Sequence, residues 1–336
     1  MIEQEQEATG PLPPPFRILS IEGGGILGAF AAGALAEMER ATEKRIVDHF
    51  DLIARTSTGG IIAIGLAMGL PASRISQFYV DHGREIFPEV GFFGGALANL
   101  RHLLRPKHTK DRLNALLLEI LADKNGEPFL LGHAKTRLLV PAYDGLSGRI
   151  YLFKTAHHPR FTNDIAVPAA KVALATSAAP TYFEAARVEQ HGASYVDGGV
   201  WANCPALAGV VEAISFLDQP HGAIKVLNVG TTTEPFNSIR KARSGVLGWN
   251  KGLITLFMMS QAEASRAMAG LLTGDKLTNV NYVSQNGEFS LDDPSRVKDL
   301  VGLGRAEAAK KKVAEAVAEC FLNGYHVKPF VPAKLP

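Results

Sequence analysis

Cysteine is almost missing from this chain of 336 residues, which holds only Cys204 and Cys320. Two thiols cannot build a disulfide framework, so a core must hold the fold, and a reducing compartment is expected. Net charge is equally scarce, +2 from 35 basic and 33 acidic residues. A field that weak gives no reason to expect a nucleic-acid polymer as partner. Long apolar runs are lacking too. The longest, Gly59 to Leu70, is about twelve residues, too short to cross a bilayer. Met1 to Glu7 is acidic and has no apolar stretch, so a secretory signal is not expected. These absences point to a cytoplasmic protein. Ten histidines are present, but they form no H-E-x-x-H or similar pattern, and His157-His158 stands alone. Neither a metal nor a cofactor is expected.

What is present is ordinary for a globular chain: 46% hydrophobic and 20% charged residues. Residues 1–15 end in Pro11-Leu12-Pro13-Pro14-Pro15 and read as a disordered or extended leader. From residue 16 to 336, strand and helix patterns alternate without a break in composition. Strands are expected at 17–21, about 50–55, 137–143, 149–154, 194–196 and 224–229. Helices are expected at about 26–40, after Gly60, and at 73–87, 110–121, 205–216, 252–272 and 305–322. Residues 84–110 and 234–251 form long excursions. Strand, glycine turn and helix occur twice near the start, which indicates parallel βα units and a single α/β domain.

Three turns carry chemistry. Thr56-Ser57-Thr58-Gly59-Gly60 sets a serine between a strand and a helix, lifted clear of the sheet and backed by a helix N-terminus. Glycine is wanted two places before and two places after such a serine. Gly59 fits the second place, but Arg55 fills the first. Read blandly, Ser57 or Thr58 only caps the helix. Glu22-Gly23-Gly24-Gly25-Ile26-Leu27-Gly28 follows another strand, and its amides can converge on an anion. Gly23, Gly25 and Gly28 also satisfy G-x-G-x-x-G, so a nucleotide-binding module is an alternative. That reading wants an acidic residue at the far end of the second strand, where Arg55 and Ser57 stand instead. Third, Tyr195-Val196-Asp197-Gly198-Gly199 ends a strand in an aspartate and a sharp turn, although Asp-Gly-Gly is also a common turn by itself. Asn203 is placed to cap the helix that starts at Pro205. A serine nucleophile needs a base, and a buried aspartate can serve if its pKa is raised.

Glycine loop, T-S-T-G-G turn and D-G-G turn, in this order, resemble the patatin-like phospholipase family. The segment from Ala175 to Phe183 resembles that family's stretch before the aspartate. The likeness covers about residues 17–205. It implies a three-layer α/β fold with a mostly parallel central sheet. It also implies hydrolysis of acyl esters in lipids by a Ser–Asp dyad without histidine or metal. Carried over, Ser57 is the nucleophile and Asp197 the base. Gly23, Gly24 and Gly25 form the oxyanion loop together with Thr58, and Gly28, Arg55, Gly59, Gly198 and Gly199 support these motifs. The sequence departs from the family pattern at Glu22, where aspartate is usual, at Leu27, where arginine is common, and at Arg55.

The run from Ile18 to Pro88 most resembles bacterial phospholipases activated by cyclic oligonucleotides in antiphage defence. That subgroup implies a cyclic nucleotide activator beside a phospholipid or membrane-surface substrate. It leaves oligomers open, and peripheral attachment to the inner membrane. Phe92, Phe93 and the run from Gly252 to Met259 stand near cations in the sequence and are candidates for lipid contact, the alternative being that both runs pack onto the core while the cations are solvated. At Arg55, crowding of the elbow is expected, so that Arg55→Gly would be the more active enzyme, and a lipid-binding protein with impaired catalysis is a further alternative. The opposite account is that the guanidinium supplies the charge that Leu27 lacks.

Overall fold

The computed structural model describes residues 14–57, 60–87, 110–180, 182–235, 251–285, 287–291, 293–323, 326–327 and 330–332. Among the described residues, eight strands form one sheet: β1 (Phe16–Ile21), β2 (Leu52–Arg55), β3 (Arg137–Asp144), β4 (Arg149–Lys154), β5 (Ala186–Val188), β6 (Ala193–Asp197), β7 (Ile224–Val229) and β8 (Leu277–Val280). Hydrogen-bonded pairing links β5-β6-β3-β2-β1-β7-β8 in turn, with β6 and β2 on one edge of β3 and β4 on its other edge. The centre is parallel: β1 pairs with β2 and β7, β2 with β3, and β7 with β8. Strands β4, β5 and β6 join antiparallel.

Side chains alternate across the sheet, and both faces are covered. Leu19, Ile21, Ile53, Leu138, Val140, Leu227 and Val229 face one core. It is closed by α1 (Gly28–Thr42), α2 (Gly60–Ala67), α3 (Ala72–Ile86), α4 (Lys110–Ile120) and α5 (Ala169–Thr176). Phe16, Ile18, Leu52, Ala54, Leu139, Ile224 and Val226 face the other. There α6 (Gly199–Ala202) and α7 (Ala206–Phe216) lie beside α8 (Lys251–Leu272). The fold is the expected three-layer α/β arrangement. Every residue of α2 is buried, so most of the longest apolar run of the sequence belongs to the core. Among the described residues no helix is long and apolar enough to cross a membrane.

Strand β3 places the site. Along one edge it pairs with β4 from Leu139 to Asp144. Along its other edge it pairs first with β2, at Arg137 to Leu139, and then with β6, at Ala142 to Asp144. Strands β2 and β6 therefore run toward each other on the same edge of β3. Their last residues, Arg55 and Asp197, meet across the gap at Val140 and Pro141.

Some elements differ from expectation. The helix expected at 305–322 starts earlier, as α9 (Val297–Ala309), and breaks at Lys310, whose ψ is 127°. It resumes as α10 (Lys311–Val317). Gly302 and Gly304 lower helix propensity and hide its first half in the sequence. Strands β5 and β8 and helix α5 were not expected. Thr58, Gly59, Phe92 and Phe93 lie outside the described residues, as do the leader up to residue 13 and most of both excursions.

Candidate active site

Ser57 leaves the end of β2 with φ at 64°, a left-handed conformation that is uncommon for a residue with a Cβ. The turn is tied down on both sides. Thr56 donates its hydroxyl to the Ala202 carbonyl at 2.5 Å. The Ser57 amide donates to Thr176 Oγ1 at 3.1 Å, and that hydroxyl donates to the Pro141 carbonyl at 2.7 Å. Strained backbone held by its surroundings is common at functional sites because the strain fixes one side-chain position.

The fixed position is beside Asp197. Ser57 Oγ donates to Asp197 Oδ2 at 2.6 Å, and the Gly199 amide donates to Oδ1 at 2.7 Å. Both carboxylate oxygens are thus engaged. Burial pushes the Asp197 carboxyl up to about 6. The hydrogen bonds from Ser57 and Gly199 and the nearby charge of Arg55 oppose that rise. An aspartate titrating near 6 can accept a proton at neutral pH and release it again.

The glycine loop lies against this pair. A Cβ on Gly23 would stand 3.1 Å from the Ser57 Cβ. One expectation is corrected here: the Gly23 amide is not available as an oxyanion donor. It donates to the Asn203 carbonyl at 2.8 Å, because the chain enters the turn still bonded to its neighbour. The Gly24 amide has no hydrogen-bond partner among the described residues. Gly25 takes φ 55°, and a Cβ there would collide with the Leu291 carbonyl, so the turn requires glycine. Gly28 opens α1, and Gly198 and Gly199 start the turn after Asp197.

The residue before the loop, Glu22, is buried and forms an ion pair with Arg266 of α8. Asn228 Nδ2 donates to the same carboxylate at 2.7 Å. Asn203 is a second correction. It follows α6 and does not cap α7; the N-cap is Pro205, and the Asn203 amide donates to Gln261 Oε1 at 2.6 Å. Asn203 Oδ1 is buried between Gly23 and Gly199, without a hydrogen-bond partner among the described residues. Thr176, Gln261 and Arg266 went unrecognised as site supports. Only Thr176 carried a signal, since it lies in the segment from Ala175 to Phe183.

Arg55 is fully buried. Its Nε donates to the Thr56 carbonyl at 3.2 Å, while Nη1 and Nη2 have no hydrogen-bond partner among the described residues. The expected crowding does not part the two site residues. Ser57 keeps its 2.6 Å contact to Asp197 with the arginine in place.

An α/β sheet that sets a strained serine against a buried aspartate, with a glycine loop alongside, defines a class of serine hydrolase. The comparisons make the class specific. The model of the patatin-like phospholipase family matches residues 19–210, a span that includes the loop, Ser57 and Asp197. The chain is 35% identical over 299 residues to a cGAMP-activated phospholipase of Pseudomonas aeruginosa, covering 87% of this chain and 83% of that one. It is 32% identical over 339 residues to a cGAMP-activated phospholipase of Vibrio cholerae, covering 90% and 94%. The crystal structure of VipD from Legionella pneumophila aligns with a TM-score of 0.47 at 14% identity, covering 92% of this chain and 68% of that one. The chain belongs to the patatin-like phospholipase family and is a serine-dependent lipid ester hydrolase.

Proposed function

We propose that this protein is a phospholipase whose nucleophile is Ser57 and whose base is Asp197. The 2.6 Å contact between Ser57 Oγ and Asp197 Oδ2 carries the reading. Ser57 Oγ attacks the acyl carbonyl carbon while its proton passes to Asp197. The carbonyl oxygen becomes an oxyanion facing the glycine loop, where an amide such as that of Gly24 donates to it. The intermediate collapses as the leaving alcohol takes the proton from Asp197. Water then attacks the acyl-enzyme, gives its proton to Asp197 and releases the fatty acid, and Ser57 regains its proton. Residues 16–336 are read as one hydrolase domain.

The relatives named cGAMP-activated phospholipases support a finer reading, in which a cyclic nucleotide switches the enzyme on as an antiphage effector. The substrate is then the phospholipid of the inner membrane, reached from the cytoplasm. A fluorophosphonate probe tests the chemistry, and lipid hydrolysis with and without cGAMP tests the control. Labelling that disappears in Ser57→Ala, and hydrolysis that rises with cGAMP, are expected. An unlabelled protein that still binds vesicles would overturn the catalytic reading. Hydrolysis that cGAMP leaves unchanged would overturn only the finer one.

A further inference from the structure

Arg55 poses an energetic problem. It ends β2 and is the bulkiest of the fully buried side chains described. A guanidinium offers five N–H donors, and removing them from water without acceptors is costly. Among the described residues only Nε has an acceptor, the carbonyl of the next residue. The location adds to the cost. Arg55 Nη2 stands 3.3 Å from the point where a Cβ on Gly28 would sit, in the first turn of α1. A helix N-terminus carries partial positive charge and disfavours a cation. Packing does not call for an arginine here either, since its neighbours in β2, Leu52, Ile53 and Ala54, are apolar.

The surrounding groups suggest what the charge does. Three titratable groups interact with it: Tyr79 from α3, Glu22 from the end of β1 and Asp197 from the end of β6. Glu22 is already neutralised by Arg266. Asp197 is already bonded to Ser57 and Gly199. The cation is therefore committed to no single anion. It stands in a buried seam between the glycine loop and the dyad, where a fixed charge is poorly screened.

We propose that Arg55 is a positioning residue of the hydrolytic site, whose buried guanidinium supplies fixed positive potential to the space between the glycine loop and Asp197. This rests on the Ser57–Asp197 reading given above. The charge does two things: it keeps Asp197 in the ionised form that accepts the serine proton, and it stabilises the negative charge that develops on the acyl oxygen. Burial pushes Asp197 up to about 6 and Arg55 down to about 10. Arg55 thus stays charged at neutral pH and opposes a further rise at Asp197. The arginine that breaks the elbow's glycine pattern becomes part of how the site works.

The test compares the wild-type chain with Arg55→Met, Arg55→Gln and Arg55→Lys. The readout is the rate at which a fluorophosphonate labels Ser57 across pH 4.5–9, together with Tm. Both neutral variants should lose about tenfold or more in the plateau rate, by analogy with the larger losses seen when a direct oxyanion donor is removed. Their acid midpoint should move to higher pH, because Asp197 loses a stabilising cation. Their Tm should hold or rise, since an unpaired buried charge is gone. Arg55→Lys should recover part of the plateau. A purely structural arginine would lower Tm and leave the acid midpoint in place. A neutral variant with wild-type Tm, plateau and midpoint would overturn the proposal while the dyad stands. A wild-type chain that is never labelled would overturn the dyad and this proposal together.

Discussion

Ser57 is held in its left-handed conformation by Thr176, whose Oγ1 accepts the Ser57 amide at 3.1 Å and donates to the Pro141 carbonyl at 2.7 Å. One hydroxyl thus joins the elbow to β3. Thr176→Val keeps the shape but leaves a buried amide and carbonyl unbonded. A cost of about 1–3 kcal/mol is expected, with activity falling about tenfold to a hundredfold as Ser57 drifts. Thr176→Ser should keep most of both. Melting curves and hydrolysis of a short ester would check this, and a Val variant as active as wild type would refute the strap.

Asp197 makes a prediction about both pH and stability. Its folded pKa is about 6 against an ordinary 3.8, so the folded state binds more protons than the unfolded state between those values. Stability is therefore greatest below about pH 4 as far as this group is concerned, and is lost as pH rises through 6. At neutral pH the ionised carboxylate costs about 2–3 kcal/mol, as the size of the shift implies. Asp197→Asn should hydrolyse no ester and should melt a few degrees higher at pH 7, with the gain vanishing toward pH 4. In the wild type, kcat/KM should fall below about pH 6 as the base takes up a proton. An Asn variant that melts lower at neutral pH would count against a strained carboxylate.

The ion pair of Glu22 and Arg266 joins α8 to the start of the glycine loop. Glu22 is buried and Arg266 half-buried, so breaking the pair from the arginine side leaves a buried carboxylate without its cation, at up to about 3 kcal/mol. Arg266→Met should lower Tm strongly and reduce activity by shifting the loop. Adding Glu22→Gln should restore much of the Tm, since the orphaned charge disappears. Additive losses in the double variant, measured by denaturant unfolding, would mean that the two residues act separately.

The first turns of α8 expose Leu253, Ile254 and Phe257 at 39%, 52% and 63%. In the sequence, Arg240, Lys241, Arg243 and Lys251 precede them. A lipid-facing role predicts that Ile254→Ser with Phe257→Ser lowers hydrolysis of anionic vesicles about fivefold to tenfold, as loss of buried apolar area implies. Turnover of a short soluble ester should change little. Equal losses on both substrates would place these side chains in a core role instead.

Much of this architecture was legible because its signals are local. Strands β1 and β2 are short apolar runs, and the described residues of the three turn motifs follow the strands expected before them. Strands β5 and β8 escaped because three or four residues carry too little periodicity to stand out. The surroundings of Arg55 were illegible for another reason. Whether an arginine at the elbow crowds or fits depends on α1, α3 and β6, and no spacing rule predicts what they place around it. Likewise Arg266 meets Glu22 across 244 residues, and Gln261 meets Asn203 across 58. A single sequence does not record such meetings.

The end-to-end approach of β2 and β6 on one edge of β3 has a consequence for how this enzyme can change. Ser57 and Asp197 are 140 residues apart along the chain, yet their spacing is gauged by the short stretch of β3 between Leu139 and Ala142. Lengthening the chain between Gly60 and Arg137, or between Lys154 and Ala193, leaves that gauge untouched. New lids, regulatory surfaces or specificity loops can be grafted there without rebuilding the chemistry. A slip of one residue at Pro141 would move the aspartate by about 3.3 Å and part it from the serine. The gauge strand is thus a place where a change of length would part the dyad, and the connections before and after it are where added length disturbs the chemistry least.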